Sequence, residues 1–166
     1  MTEAAKYFAV EQLRDGRQIE IRALRQADEE AMLAAIDRTG AQSLYRRFFG
    51  SKRQFSDREK AFFLNVDFVS HVALVAVAQE DGRNVIVGGG RYVVVRPGTA
   101  ELAFAVIDEY QGRGIAAALM RHLTLLARAG GIKELIAEVL PENIPMLIVF
   151  HKSGARFADQ ALCGRC

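Results

Sequence analysis

Apolar and polar positions alternate over residues 18–22, where Ile19 and Ile21 lie between Gln18, Glu20 and Arg22. That period of two predicts a strand. Asp15-Gly16, just before it, is a hairpin-like turn signal. The spacing then changes to a helical one. Asp28 stands where it can cap a helix whose apolar stripe is Met32, Leu33 and Ile36. Residues 43–49 read as a second helix. Ser56, followed by Glu59, reads as the capping box of a third that carries Phe62, Phe63 and Leu64. From residue 72 the pattern turns β-rich. Residues 72–78, the turn signal Asp81-Gly82 and residues 85–95 predict a hairpin, and Pro97-Gly98 leads into a third strand at 101–107. A loop over 108–113 enters a helix over 114–128 that Gly130-Gly131 stops. A strand follows at 135–139, then a last helix with Pro145 near its start and Gly154 at its end.

Helices come first, then three consecutive strands, then helix, strand and helix. This order predicts a mixed α/β (α+β) fold, with a central, mostly antiparallel sheet that runs into one β-α-β unit and is flanked by helices. It is not the strict alternation of a doubly wound sheet. With no repeat, linker or low-complexity segment, residues 1–166 are expected to form a single domain. Gly88-Gly89-Gly90 interrupts a strong strand and predicts a bulge or a close backbone approach.

Composition narrows the partners. The chain is 51% hydrophobic and 25% charged, with a formal net charge of +2. That charge argues against nucleic acid or an acidic membrane as the main partner. The run 72–78 is far too short to span a bilayer, and residues 1–10 lack the charged-then-apolar plan of a secretory signal. The expected location is cytoplasmic. Cys163 and Cys166 make half a zinc site with no second pair, and His71, His122 and His151 show no ligand spacing. No metal is expected. His71 reads as a capping or core residue, His122 lies on the helix that follows the loop at 108–113, and His151 reads as a surface residue.

The chemistry concentrates in Asp108-Glu109-Tyr110-Gln111-Gly112-Arg113-Gly114-Ile115-Ala116, between a predicted strand and a predicted helix. Paired glycines let the backbone turn sharply, and the first amides of the helix, with its dipole, suit a phosphate or diphosphate. Arg113 adds charge or faces water. A Walker loop would need Lys-Ser/Thr after Gly114, where Ile115 and Ala116 stand. Gly112, Gly114 and Ala117 have the spacing of a dinucleotide fingerprint, and Glu138 lies where its ribose-binding acid would be, but the loop is long and comes late in the chain. A purely structural turn is the third alternative.

A fourth reading rests on a resemblance. Gln111-x-x-Gly114-x-Ala116 resembles the acyl-CoA motif of the GNAT N-acetyltransferases, and Asn143, Met146, Phe150, Lys152 and Gly154 resemble that family's second motif. The segments Ser43-Leu44-Tyr45-Arg46-Arg47-Phe48-Phe49, Ala100-Glu101-Leu102-Ala103-Phe104 and Ala137-Glu138-Val139-Leu140-Pro141-Glu142-Asn143 are similar to the GNAT domains of bacterial protein lysine acetyltransferases of the Pat type. The resemblance implies the GNAT fold and acetyl transfer from acetyl-CoA, as co-substrate, to a primary amine. The implied acceptor is a protein lysine, with a small amine or a non-catalytic acyl-CoA-binding role as alternatives. The implied donor site comprises Gln111, Gly112, Arg113, Gly114, Ile115 and Ala116 at the diphosphate, with Asn143 and Phe150 from the second motif. Main-chain groups of Phe104 to Val106 would serve the thioester oxyanion and the pantetheine arm.

Glu101 is the candidate general base. Alternation places it with Ala103 and Ala105 on one face, and the small alanines leave room beside the carboxylate. A lysine amine is protonated at neutral pH, and freeing it costs about 4–5 kcal/mol, so a nearby proton acceptor is needed. The matching glutamate serves as base in the Pat-type enzymes. Two departures stand out. Phe150 occupies the place of the family's proton-donating tyrosine. Residues 155–166 have room for one short strand where the family has two, so the acceptor side would be either incomplete or completed by another subunit, as in a homodimer.

Overall fold

The predicted meander is the centre of the structure. The computed structural model describes residues 3–38, 56–138, 156–158 and 161–165. In it β3 (His71–Glu80), β4 (Arg83–Arg96) and β5 (Thr99–Val106) pair antiparallel in sequence. To one side lie β2 (Gln18–Ala23) and the edge strand β1 (Phe8–Gln12), also antiparallel. To the other lie β6 (Glu134–Glu138), parallel to β5, then β8 (Ala161–Arg165) and β7 (Arg156–Ala158). The eight strands form one sheet in the order β1-β2-β3-β4-β5-β6-β8-β7. The mixed fold with its single β-α-β unit is therefore as the pattern predicted.

The described helices are α1 (Glu29–Asp37), α2 (Asp57–Leu64) and α3 (Ile115–Ala129). In α3 the buried positions Ile115, Leu119, Leu123 and Ala127 repeat every fourth residue, so one stripe faces the sheet. On β5 the buried set is Ala100, Leu102 and Phe104, while Glu101 is exposed and Ala103 and Ala105 are half-buried. The predicted phase of that strand is correct. Gly90 lies opposite Phe104, and a Cβ there would stand 2.7 Å from the Phe104 ring and 3.0 Å from Leu123. A Cβ at Gly88 would stand 3.2 Å from Ile115 and 3.1 Å from the Ala105 carbonyl. The glycine run thus lets α3 approach the sheet closely. A bulge accompanies it: Ala76 pairs with Gly88 and Val77 with Ile86, which leaves Val87 over.

Three expectations need correction. The tail forms two strands, because three and five residues suffice for β7 and β8, so the case for completion by a second subunit loses its basis. Asp28 does not cap α1. Its carboxylate turns back to accept the Arg25 N–H at 2.8 Å and the Arg22 guanidinium at 2.8 and 2.9 Å. Burial opposes its charge, but those bonds outweigh it and hold the carboxyl below its usual range. Third, the chain has a strand, β1, that the pattern did not announce. The Ser56–Glu59 capping box is present, with the Glu59 N–H donating to Ser56 Oγ at 3.2 Å. The helix expected over 43–49 and the one expected after Pro145 lie outside the described residues.

Candidate functional site

The β5–α3 connection is built to present amides. After β5 the chain makes a 3-10 turn over Asp108–Tyr110, anchored by Tyr110, which is buried. Gly112 and Gly114 then adopt φ values of +76° and +93°, a region that side chains disfavour. Gly114 is the N-cap of α3, and no side chain caps the helix start. The Ala118 N–H is the first to find a helical acceptor, the Gly114 carbonyl. The amides of Ile115, Ala116 and Ala117 therefore face outward with the positive end of the dipole. These donors fit a diphosphate, and no acidic side chain in the first turn of α3 opposes one.

The predicted site residues separate into groups. Gln111 donates its side-chain amide to the Val106 carbonyl at 3.0 Å and to Asp108 at 3.3 Å, which ties the end of β5 to the loop. Arg113 is held rather than free: its Nη1 lies 2.6 Å from Asp15 Oδ2, and its guanidinium stacks 5.1 Å from the Tyr110 ring centre. Asp15 belongs to the β1–β2 turn. The Arg17 N–H and then Arg113 hold its carboxyl below the usual range. Asn143 and Phe150 lie outside the described residues, as do Met146, Lys152 and Gly154.

The pairing of β5 with β6 is short. It runs through Thr99–Glu134, Ala100–Leu135 and Glu101–Ile136. Beyond that point β6 continues as the partner of β8, while β5 continues as the partner of β4 as far as Val106–Gly88. Among the described residues the two parallel strands therefore part immediately after Glu101. The Ile107 N–H donates to the Val87 carbonyl on the β4 side. Alternation turns the Val106 and Phe104 main-chain groups the other way, toward the parting. That edge of β5 leads from the amide-rich loop back to Glu101, about 17 Å along five residues. Glu101 opposes Val93 of β4 and is solvent-exposed.

A polar cleft of about 400 Å³ lies beside the loop, lined by Arg17, Gln79, Glu80, Asp81, Glu109, Tyr110 and Arg113. Its carboxylates outnumber its guanidinium groups. Arg38 bridges Glu80 at 2.6 Å and Glu109 at 3.0 Å behind it. This cleft braces the loop and does not by its charge attract an anion. Among the described residues no group of three or more His, Cys, Asp and Glu side chains is placed to hold a metal, and no helix is long and apolar enough to cross a membrane.

Sequence reasoning did not find the contact between β1 and α3. His122 is buried, its Nε2 lies 2.6 Å from Glu11 Oε1, and its Nδ1 bonds the Tyr7 hydroxyl. The residues are more than a hundred positions apart, and no spacing rule links them.

Comparison with known proteins agrees with this geometry. A profile of the acetyltransferase (GNAT) family matches residues 40–155. Acetyltransferase PA5475 of Pseudomonas aeruginosa is 36% identical over 127 residues, which cover 76% of this chain and 68% of that protein. Acetyltransferase Pat of Mycolicibacterium smegmatis is 32% identical over 155 residues, 91% of this chain, which spans only 45% of Pat. The crystal structure of the GNAT domain of S. lividans PAT superposes with a TM-score of 0.86 at 32% identity, covering 96% of this chain and 97% of that one. The profile, the curated relatives, the superposition and the β-α-β site agree: the chain belongs to the GNAT family of acetyltransferases.

Proposed function

We propose that the protein transfers an acetyl group from acetyl-CoA to a primary amine on a protein lysine, with Glu101 as general base. The observation that carries this reading is the parting of β5 from β6 directly after Glu101. It leaves one strand edge between a row of outward amides and a single exposed carboxylate. The diphosphate of the donor would meet the amides of Ile115 and Ala116 at the glycine turn. Its pantetheine arm would lie along β5 as an added strand. The thioester carbonyl would then accept from a main-chain N–H of the segment ending at Val106. Glu101 would take the ammonium proton, directly or through water, so that the neutral amine attacks.

A lysine acceptor is favoured by the likeness to Pat over nine-tenths of this chain. Thiol release from acetyl-CoA, measured against a panel of lysine-bearing proteins and a panel of free amino acids and polyamines, tests the acceptor class. Turnover on proteins is expected. Turnover confined to the small amines would overturn it. Glu101→Gln is expected to bind coenzyme A as the wild type does and to turn over far more slowly, and full activity in that variant removes Glu101 from the chemistry.

A further inference from the structure

The β1–β2 turn lies against the diphosphate loop, although almost a hundred residues separate them. It touches the loop at two points. Asp15 pairs with Arg113 at 2.6 Å, and Arg17 Nη1 donates to the Tyr110 hydroxyl at 3.3 Å. The turn itself is closed by the Leu13 N–H to the Arg17 carbonyl at 2.7 Å and the Gly16 N–H to the Leu13 carbonyl at 3.0 Å. These anchors fix the residue between them. Arg14 is exposed, and its Nε lies 3.9 Å from where a Cβ on Gly114 would stand. The Arg14 side chain therefore lies beside Gly114, the N-cap of α3.

That is the wrong charge for the place. The front of a helix is positive and favours acids, yet α3 has no acidic residue in its first turn. Arg113 and Arg17 are each engaged with a partner. Among the described residues Arg14 has no ion pair or hydrogen bond through its side chain. A cation over an uncapped helix start is stabilised when an anion lies between the two. We propose that Arg14 is a specificity-determining residue for the donor: it bonds the diphosphate of acyl-CoA from the side opposite the α3 amides. Phosphate recognition is then divided between the β1–β2 turn and the β5–α3 loop, and it favours nucleotide-borne thioesters over simple pantetheine ones. The inference rests on the acetyl-CoA reading above.

The test is titration calorimetry of the full chain, wild type and Arg14→Ala, with coenzyme A, dephospho-coenzyme A and pantetheine as probes. A charge-assisted bond at an exposed position predicts about tenfold weaker binding of coenzyme A by Arg14→Ala. The same loss is expected with dephospho-coenzyme A, and none with pantetheine. Arg14→Lys should recover part of the affinity, because it keeps the charge and loses the fork. Equal coenzyme A binding by wild type and Arg14→Ala overturns the role of Arg14 and leaves the donor reading intact. A loss confined to coenzyme A overturns the diphosphate assignment, and a loss shared by pantetheine overturns phosphate contact. Wild-type protein that gives no heat with coenzyme A overturns the donor reading itself, and this inference with it.

Discussion

His71 and Glu101 stand in one row across the sheet, His71 opposite Val93 and Val93 opposite Glu101. Both side chains are ionisable, and both lie on the face away from α3. Their surroundings differ. His71 is 7% exposed, stacked 4.9 Å from Phe62 of α2, with Arg91 Nη1 2.9 Å from its Nε2. Burial, with the Arg91 charge beside it, pushes its pKa down to about 4. Glu101, two strands away, stands exposed where the ladder to β6 ends. A residue's place in the weave does not decide its task. What covers it differs: α2 packs over the His71 end of this row, and the pairing with β6 stops at the Glu101 end.

The largest effect that would break this contrast is on turnover. Glu101→Gln should lower kcat by about 10²–10⁴-fold, the usual worth of a positioned base, with its melting temperature unchanged. His71→Gln should do the reverse. A loss of turnover in the His71 variant, or of stability in the Glu101 variant, would show that the two ends share a task.

Next in size is a pH effect. Folded His71 gains its proton near pH 4, and an unfolded histidine gains it near 6.5, so between those values the unfolded chain binds more protons. Stability is full above pH 6.5 and falls as the pH drops toward 4, by about 3 kcal/mol in all. Urea unfolding at stepped pH measures it, and His71→Gln should flatten the slope. Gly90→Ala, on the opposite face, should cost about 1–3 kcal/mol by pressing on Phe104 and Leu123, and it should leave the pH slope untouched. The smallest effect concerns the cover itself. Ser56→Ala removes the cap of α2 and should cost about 1 kcal/mol. It should also shift the acid limb upward, as His71 becomes better hydrated.

The meander, the β-α-β unit and the phase of β5 were legible because each obeys a local rule: a period of two, a turn dipeptide, or glycines before a helical stripe. Strand β1 was not, because its large apolar residues, Phe8 and Val10, are exposed on an edge while Glu11 turns inward to His122. The tail was misjudged because strand length was assumed rather than derived. The glycine turn before α3 could be read from sequence, but the engagement of Arg113 by Asp15 could not. That contact joins segments whose proximity exists only once the sheet has formed. The parting of β5 from β6 is a fact of register, and register between parallel strands joined by a helix leaves no mark in either strand alone.

The missing side chain at Gly88 carries one more consequence. The first residue of α3, Ile115, packs so near Gly88 that a Cβ there would stand 3.2 Å from it, so the closeness of that contact bears on where the helix points its opening amides. Enlarging residue 88 would tilt the aim of the proposed donor surface without touching any atom in it. A variant at this position would read out as poorer grip on the donor in a chain that still folds.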